Sequence, residues 1–257
     1  MAEFVISPDW QVEKWYGFDR YRFEFEGRTA WVAVPETPAG DGRWTWCTQW
    51  AEAFVERVGT TDLLSRGFHH AHIDVFDTRC NVEGVEIMHR FHDFLVGRGL
   101  QSRVNLIGMS WGGFFALRYS QSYPADVKAI YLDAPVCNAA DLDPVAAPRA
   151  QQVCECYGLT IDALARSPLN PVNSIQTIVE NHLPVFIATG EDDNVVKVAN
   201  NVNILTRFFD EKNYAYQIVR RPSWGHHPHG FDDRSELVKF HESVHQYMIY
   251  AEEGKPF

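Results

Sequence analysis

Residues 103–120 read RVNLIGMSWGGFFALRYS. The first part, RVNLIGM, is an apolar run of strand length. The part beginning GGFFALRYS reads as a helix that Pro124 stops. Between them Gly108, Ser110 and Gly112 make a G-x-S-x-G with Trp111 beside the serine. A plain connector needs small residues there but no serine. In a strand-to-helix turn of this pattern the serine sits in a strained backbone conformation, and flanking side chains would strike the neighbouring strand and helix. The turn lifts the hydroxyl above the strand ends, and the following helix aims free backbone N–H groups at the same point. Ser110 is therefore a candidate nucleophile, with the Trp111 N–H as one oxyanion donor. The bland alternative is a tight glycine turn with a solvent-facing serine. The apolar strand before it and the helix after it favour the nucleophile.

Outward from this turn the chain alternates strands and helices. YRFEFEGRTAWVAV makes two strands around Gly27, and WTWCTQWAEAFVERV begins as a strand and continues as a helix with Trp50, Phe54 and Val58 on one face. GFHHAHIDVF is a strand. NVEGVEIMHRFHDFLVGRG is an amphipathic helix with Val85, Met88, Phe91 and Leu95 in one stripe. VKAIYLDAPV, LPVFIATG and NYAYQIVR are further strands, VKVANNVNILTRFFDEK a helix, and RSELVKFHESVHQYMIY a closing helix. This rhythm predicts an α/β fold: a mostly parallel central sheet of about eight strands, helices on both faces and an antiparallel N-terminal hairpin. Residues 137–182 are too long for a simple connection and carry helical segments of their own. They read as a small cap inserted in a single domain spanning 1–257.

A serine nucleophile needs a histidine to take its proton and an acid to orient that histidine, and the strand ends later in the chain offer candidates for both. Asp192 and Asp193 follow the strand LPVFIATG. His226, His227 and His229 lie in RRPSWGHHPHGFDD, before the last helix. Asp133, in YLDAP, also ends a strand and is a further candidate acid.

The net charge of −11 argues against a nucleic-acid partner. The N-terminal stretch lacks the basic start and apolar core of a signal peptide, and no run of about 18 apolar residues is present, so no membrane span is expected. The five cysteines, Cys47, Cys80, Cys137, Cys154 and Cys156, are odd in number and read as reduced thiols of a cytoplasmic protein. A secreted protein in its mature form would look the same. No cofactor or metal is expected: His69, His70 and His72 split between two strand faces, and His241 and His245 read as a surface helix pair. Nothing in the sequence marks an oligomer interface.

With these residues in place, the chain resembles the α/β-hydrolase superfamily over essentially its whole length. In that superfamily the acid commonly follows a strand-ending glycine as GxxDxxV. GEDDNVV, with Gly190, Asp193 and Val196, fits that pattern and selects Asp193 over Asp192. The histidine commonly follows a glycine as in GHFPH, and GHHPH selects His226. The resemblance implies a Ser110–Asp193–His226 triad that cleaves a small carboxylic ester through an acyl-enzyme. A peptidase, thioesterase or acyltransferase on the same triad is the alternative, and a non-hydrolytic binder a minor one. W-x-W, DAPV and GHHPH also resemble esterase-like members found among polysaccharide-utilising bacteria, which makes an acylated sugar a candidate substrate. One departure stands out. Where many lipases read HGGG this chain reads WTWCTQW, so the second oxyanion N–H is expected from Trp46 or Cys47. Trp44 and Trp224, flanking the site segments, are expected to line the substrate pocket.

Overall fold

The computed structural model describes residues 4–252, with side chains described through residue 244. Nine strands form one sheet: β1 (Gln11–Trp15), β2 (Phe18–Phe25), β3 (Arg28–Val34), β4 (Trp44–Cys47), β5 (His69–Ile73), β6 (Val104–Met109), β7 (Val127–Asp133), β8 (Val185–Gly190) and β9 (Gln217–Arg221). Their spatial order is β1-β2-β3-β5-β4-β6-β7-β8-β9. Pairings from β1 to β5 are antiparallel, and those from β5 through β4 to β9 are parallel. The strand beyond the expected eight is β1. It lies at the sheet edge with four of its five residues exposed, so no alternation of apolar and polar residues announces it.

Among the described residues eight helices cover the sheet: α1 (Thr60–Ser65), α2 (Val82–Val96), α3 (Trp111–Ser122), α4 (Ala147–Tyr157), α5 (Ile161–Arg166), α6 (Ile175–Glu180), α7 (Val202–Glu211) and α8 (Ser235–Glu252). The two-residue period of the strands divides the core in two. Trp44, Trp46, Leu106, Ile130, Leu132 and Ile187 point to one face, under α2, α3, α6 and α7. Cys47, Ile107, Tyr131, Phe186 and Ala188 point to the other, with Leu64 of α1 and Leu237, Phe240 and Val244 of α8. β4, β6, β7 and β8 are buried throughout, as parallel strands covered on both faces must be. Residues 137–182 supply α4, α5 and α6, and α6 packs back on α3.

The expected helix through Trp50, Phe54 and Val58 does not form. Trp50 and Phe54 both take left-handed backbone angles, φ 64° and 53°, which break a right-handed helix. The chain turns there and becomes helical only at Thr60. Among the described residues no helix is long and apolar enough to cross a membrane. His241 is fully buried on α8 and so is not on a surface face, and the side chain of His245 lies outside the described residues.

The HHAH strand makes the fold acid-sensitive. His69 and His70 are each 1% exposed, and burial pushes their pKa values down to about 4 and about 3. Below the ordinary histidine value of ~6.5 the unfolded chain takes up protons that the folded chain refuses. Stability therefore falls as pH drops from about 6.5 toward 4, by ~1.4 kcal/mol per pH unit for each group. His69 packs against Phe4, with ring centroids 5.1 Å apart, so a phenylalanine fits its place and His69→Phe is expected to make the slope shallower by the share of one group. Thermal melts across this range check it; equal slopes in variant and wild type would refute it.

Candidate active site

Ser110 stands between the last residue of β6 and the first of α3, at φ 49° and ψ −117°. A non-glycine residue there carries strain of about 1–3 kcal/mol. Three backbone hydrogen bonds hold the turn: Ser110 N–H to Asp133 O at 2.9 Å, Val136 N–H to Ser110 O at 2.9 Å, and Gly113 N–H to Ser110 O at 3.0 Å. The tightest glycine is one beyond the sequence motif. A Cβ on Gly113 would lie 2.3 Å from Pro135 Cβ and 2.9 Å from Pro135 Cα, so only glycine lets α3 start this close to the end of β7.

His226 reaches Ser110 from the loop after β9, and its Nε2 lies 3.0 Å from Ser110 Oγ. Its Nδ1 lies 2.7 Å from Asp193 Oδ2. A carboxylate only accepts, so Nδ1 donates, and in the neutral ring Nε2 is left to accept from the serine hydroxyl. Asp193 Oδ1 accepts from the N–H groups of Val195 and Val196, each at 2.8 Å. Burial by itself would raise the Asp193 carboxyl. The hydrogen bond from His226 and the two backbone N–H groups outweigh it and hold the group below its ordinary value. The two loops meet because Gly190 has no side chain: a Cβ there would stand 2.3 Å from Trp224 O and 2.5 Å from Gly225 O. Asp192 is exposed and ties this junction only through its backbone, N–H to Trp224 O at 2.9 Å.

A second carboxylate–imidazole pair lies beside the first. His229 Nδ1 is 2.7 Å from Asp133 Oδ1. Asp133 is fully buried, and its Oδ2 accepts from Tyr131 Oη at 2.6 Å and from Gly230 N–H at 2.8 Å, with Arg221 Nη2 3.5 Å from Oδ1. Burial opposes its charge, but His229 and Arg221 prevail and its pKa is lowered. The Ser110 hydroxyl meets His226, not His229; the second pair anchors the histidine loop to the end of β7. His226, His227 and His229 each offer a ring nitrogen within 4.8 Å of the others, and on the α2 side His89 and His92 each offer a ring nitrogen and Asp126 a carboxylate oxygen at the same spacing. These two groups are the places among the described residues where a metal ion could be shared.

A family described as alpha/beta hydrolase fold matches residues 83–153. Solved structures align over nearly the whole chain. An S-formylglutathione hydrolase from Agrobacterium tumefaciens matches at TM-score 0.64 and 13% identity over 92% of this chain and 96% of its own. A Mycobacterium tuberculosis puromycin-hydrolyzing peptidase matches at 0.66 and 15% over 91% and 38%, and Porphyromonas gingivalis dipeptidyl peptidase 4 at 0.60 and 14% over 93% and 35%. The chain has the α/β-hydrolase fold. It spans little more than a third of the two peptidases' length. No curated protein sequence matches it.

Within the α/β-hydrolase fold, three sequence expectations need correction. Trp46 and Cys47 are strand residues, in register with Leu106 and Ile107 of β6, and the next residue, Thr48, donates its N–H to Ile107 O at 3.1 Å. Backbone committed to a ladder on a central strand is not free to bind an oxyanion. The chain leaves the sheet at Gln49 and Trp50, and Gln49 N lies 3.3 Å from where a Gly112 Cβ would be. These two residues, not Trp46 or Cys47, pass over the start of α3. Trp44 is fully buried on the α2 side, with Nε1 donating to Gln101 O at 2.8 Å, and does not reach the site. Trp224 lies beneath the Arg221 guanidinium, 4.5 Å from its ring centroid, and belongs to the Gly190 junction rather than the pocket. The Cys47 thiol is buried and donates to Gln49 O at 3.1 Å, and burial pushes its pKa up to about 12, which leaves it inert.

Above Ser110 opens a cavity of about 460 Å³. Trp50, Phe54, Trp111, Arg149, His226 and His227 are among the residues that line it. Trp111 is the first residue of α3, where N–H groups lack intrahelical acceptors, and it is among the residues that line the cavity. Trp50, Phe54 and Arg149 are lining residues that the sequence reading did not assign to the site. The two aromatics come from the loop expected to be helical, and Arg149 from α4, between β7 and β8.

Proposed function

We propose that this protein is a serine hydrolase that cleaves a small carboxylic ester through an acyl-enzyme. The observation that carries the reading is the unbroken hydrogen-bonded line from Ser110 Oγ through His226 to Asp193, at 3.0 and 2.7 Å, opening into a cavity of drug-like size. Ser110 Oγ attacks the acyl carbon as His226 Nε2 takes its proton. Asp193 holds the Nδ1–H tautomer and stabilises the imidazolium. The oxyanion is received by the Trp111 N–H and an N–H of the Gln49–Trp50 segment. His226 returns the proton to the departing alcohol, and water, activated by the same ring, releases the acid. The inserted residues 137–182 act as a small cap that shapes the acyl and alcohol sites from above. The partner is thus a small molecule, with an acylated sugar as one form of it that aromatic walls would suit.

A second reading is favoured by the structural neighbours, which include a hydrolase of S-formylglutathione and peptidases. The same triad serves thioesters and amides. One experiment separates the options: parallel assays with p-nitrophenyl esters from acetate to octanoate, acyl thioesters and aminoacyl anilides, after labelling with a fluorophosphonate. The ester reading expects labelling at Ser110 and highest kcat/KM on a short acyl ester. A clear preference for anilide or thioester would move the protein to the second reading. No labelling and no turnover of any class would refute the serine-hydrolase reading.

A further inference from the structure

The inserted segment sends one cation into the cavity above Ser110. Arg149 stands in the first turn of α4 and shares the cavity with Ser110, Trp50, Phe54 and Trp111. Its Nη2 donates to the carbonyl of Val195 at 2.6 Å. The N–H of that same Val195 donates to Asp193 Oδ1 at 2.8 Å, so the guanidinium is positioned against the loop that carries the triad carboxylate. A carbonyl occupies only one of its five N–H donors.

The carboxylates nearest in influence are engaged elsewhere. Asp193 is held by His226 at 2.7 Å, Asp143 pairs with Lys197 at 2.6 Å, and Asp141 Oδ1 accepts from Asn200 Nδ2 at 3.0 Å. Asp141 Oδ2 is buried without a hydrogen-bond partner, which makes Asp141 the rival claimant on the Arg149 charge. Burial still pulls the Arg149 pKa down ahead of any help from these acids, the mark of a cation whose charge is not fully met inside the protein. An arginine nonetheless stays protonated. The chain's net charge of −11 repels anions at long range, so a cation in the wall of an aromatic cavity acts against the field of the whole protein.

We propose that Arg149 is the anion-recognition group of this active site, and that the natural substrate carries a carboxylate close to its scissile acyl carbon. The proposal rests on the serine-hydrolase reading above. The chemistry fits: the planar guanidinium fork matches a carboxylate in two parallel hydrogen bonds, and the aromatic walls take the apolar body between the two ends of the substrate. The expected ligand is a half-ester of a dicarboxylic acid, or an ester whose alcohol bears the carboxylate.

Two matched substrate pairs test it. Mono-p-nitrophenyl glutarate against p-nitrophenyl butyrate places the charge on the acyl chain. 4-Acetoxybenzoate against its methyl ester places it on the leaving phenol. The readout is the ratio of kcat/KM for the anionic over the neutral member, in wild type and in Arg149→Lys, Arg149→Gln, Arg149→Met and Arg149→Glu. In one pair the ratio is expected to fall about tenfold or more in the Gln and Met variants, further in the Glu variant, and less in the Lys variant. The loss should appear chiefly in KM, and about 0.5 M salt should shrink the wild-type ratio. Ratios that stay the same in wild type and both neutral variants, for both pairs, would overturn the proposal. Lowered melting temperatures alongside unchanged ratios would make Arg149 a counter-ion of Asp141 or a clamp on Val195. The underlying reading fails separately and visibly, by absence of both neutral-ester turnover and fluorophosphonate labelling at Ser110.

Discussion

Ser110→Ala is expected to lower ester turnover by about 10⁴- to 10⁶-fold and to abolish fluorophosphonate labelling. The argument is geometric. His226 Nε2 has one protein hydroxyl to deprotonate, Ser110 Oγ at 3.0 Å. Without it no covalent intermediate forms, and only the oxyanion donors and the bound geometry remain to assist water. The fold should not notice. Alanine at φ 49° bears about the strain serine bears, and the three hydrogen bonds of the turn are all to Ser110 backbone or its neighbours. The melting temperature should therefore move by no more than the equivalent of about 1 kcal/mol. Retained turnover in a folded variant would remove Ser110 from the chemistry and with it the proposed function.

The residues legible in the sequence and those hidden from it differ in one physical respect. Ser110, Asp193 and His226 each follow a strand, in segments whose glycines permit close approach. The elbow at Gly113 and the junction at Gly190 are places where a single Cβ would collide at 2.3 Å. Such constraints leave a mark at fixed offsets along the chain. The cavity walls leave none. Trp44 precedes the end of β4 by three residues, or ~10 Å at strand rise, and the alternation of the strand sends it under α2 with Trp46. Proximity in sequence to the site was therefore no guide to proximity in space. Trp50 and Phe54 reach the cavity because both adopt left-handed angles, which no non-glycine residue advertises. Arg149 arrives from a segment whose course over the sheet depends on long-range packing. The sheet itself was legible except at β1, where an exposed edge gives the chain nothing to bury.

The two buried acid–histidine pairs make the remaining large effect a discriminating one. Asp193→Asn is expected to reduce kcat by about 10⁴-fold with the fold intact. An asparagine amide can donate to His226 Nδ1, which then holds its proton on Nε2 and cannot accept one from Ser110. Asp133→Asn should do the reverse. Its carboxylate meets His229, Tyr131, Gly230 and Arg221 and makes no hydrogen bond to His226 or to the Ser110 hydroxyl. Neutralising it leaves Arg221 short of a buried counter-charge and weakens the anchor of the histidine loop. A stability loss of about 3 kcal/mol is expected, with turnover reduced only as far as the loop shifts, by about tenfold. Paired measurement of kcat and melting temperature on both variants separates the roles. If Asp133→Asn produced the 10⁴-fold loss and Asp193→Asn the lesser one, the working acid would be the carboxylate at the end of β7. The elbow would then draw its base from His229, and the line from Ser110 through His226 to Asp193 would be scaffold rather than machinery.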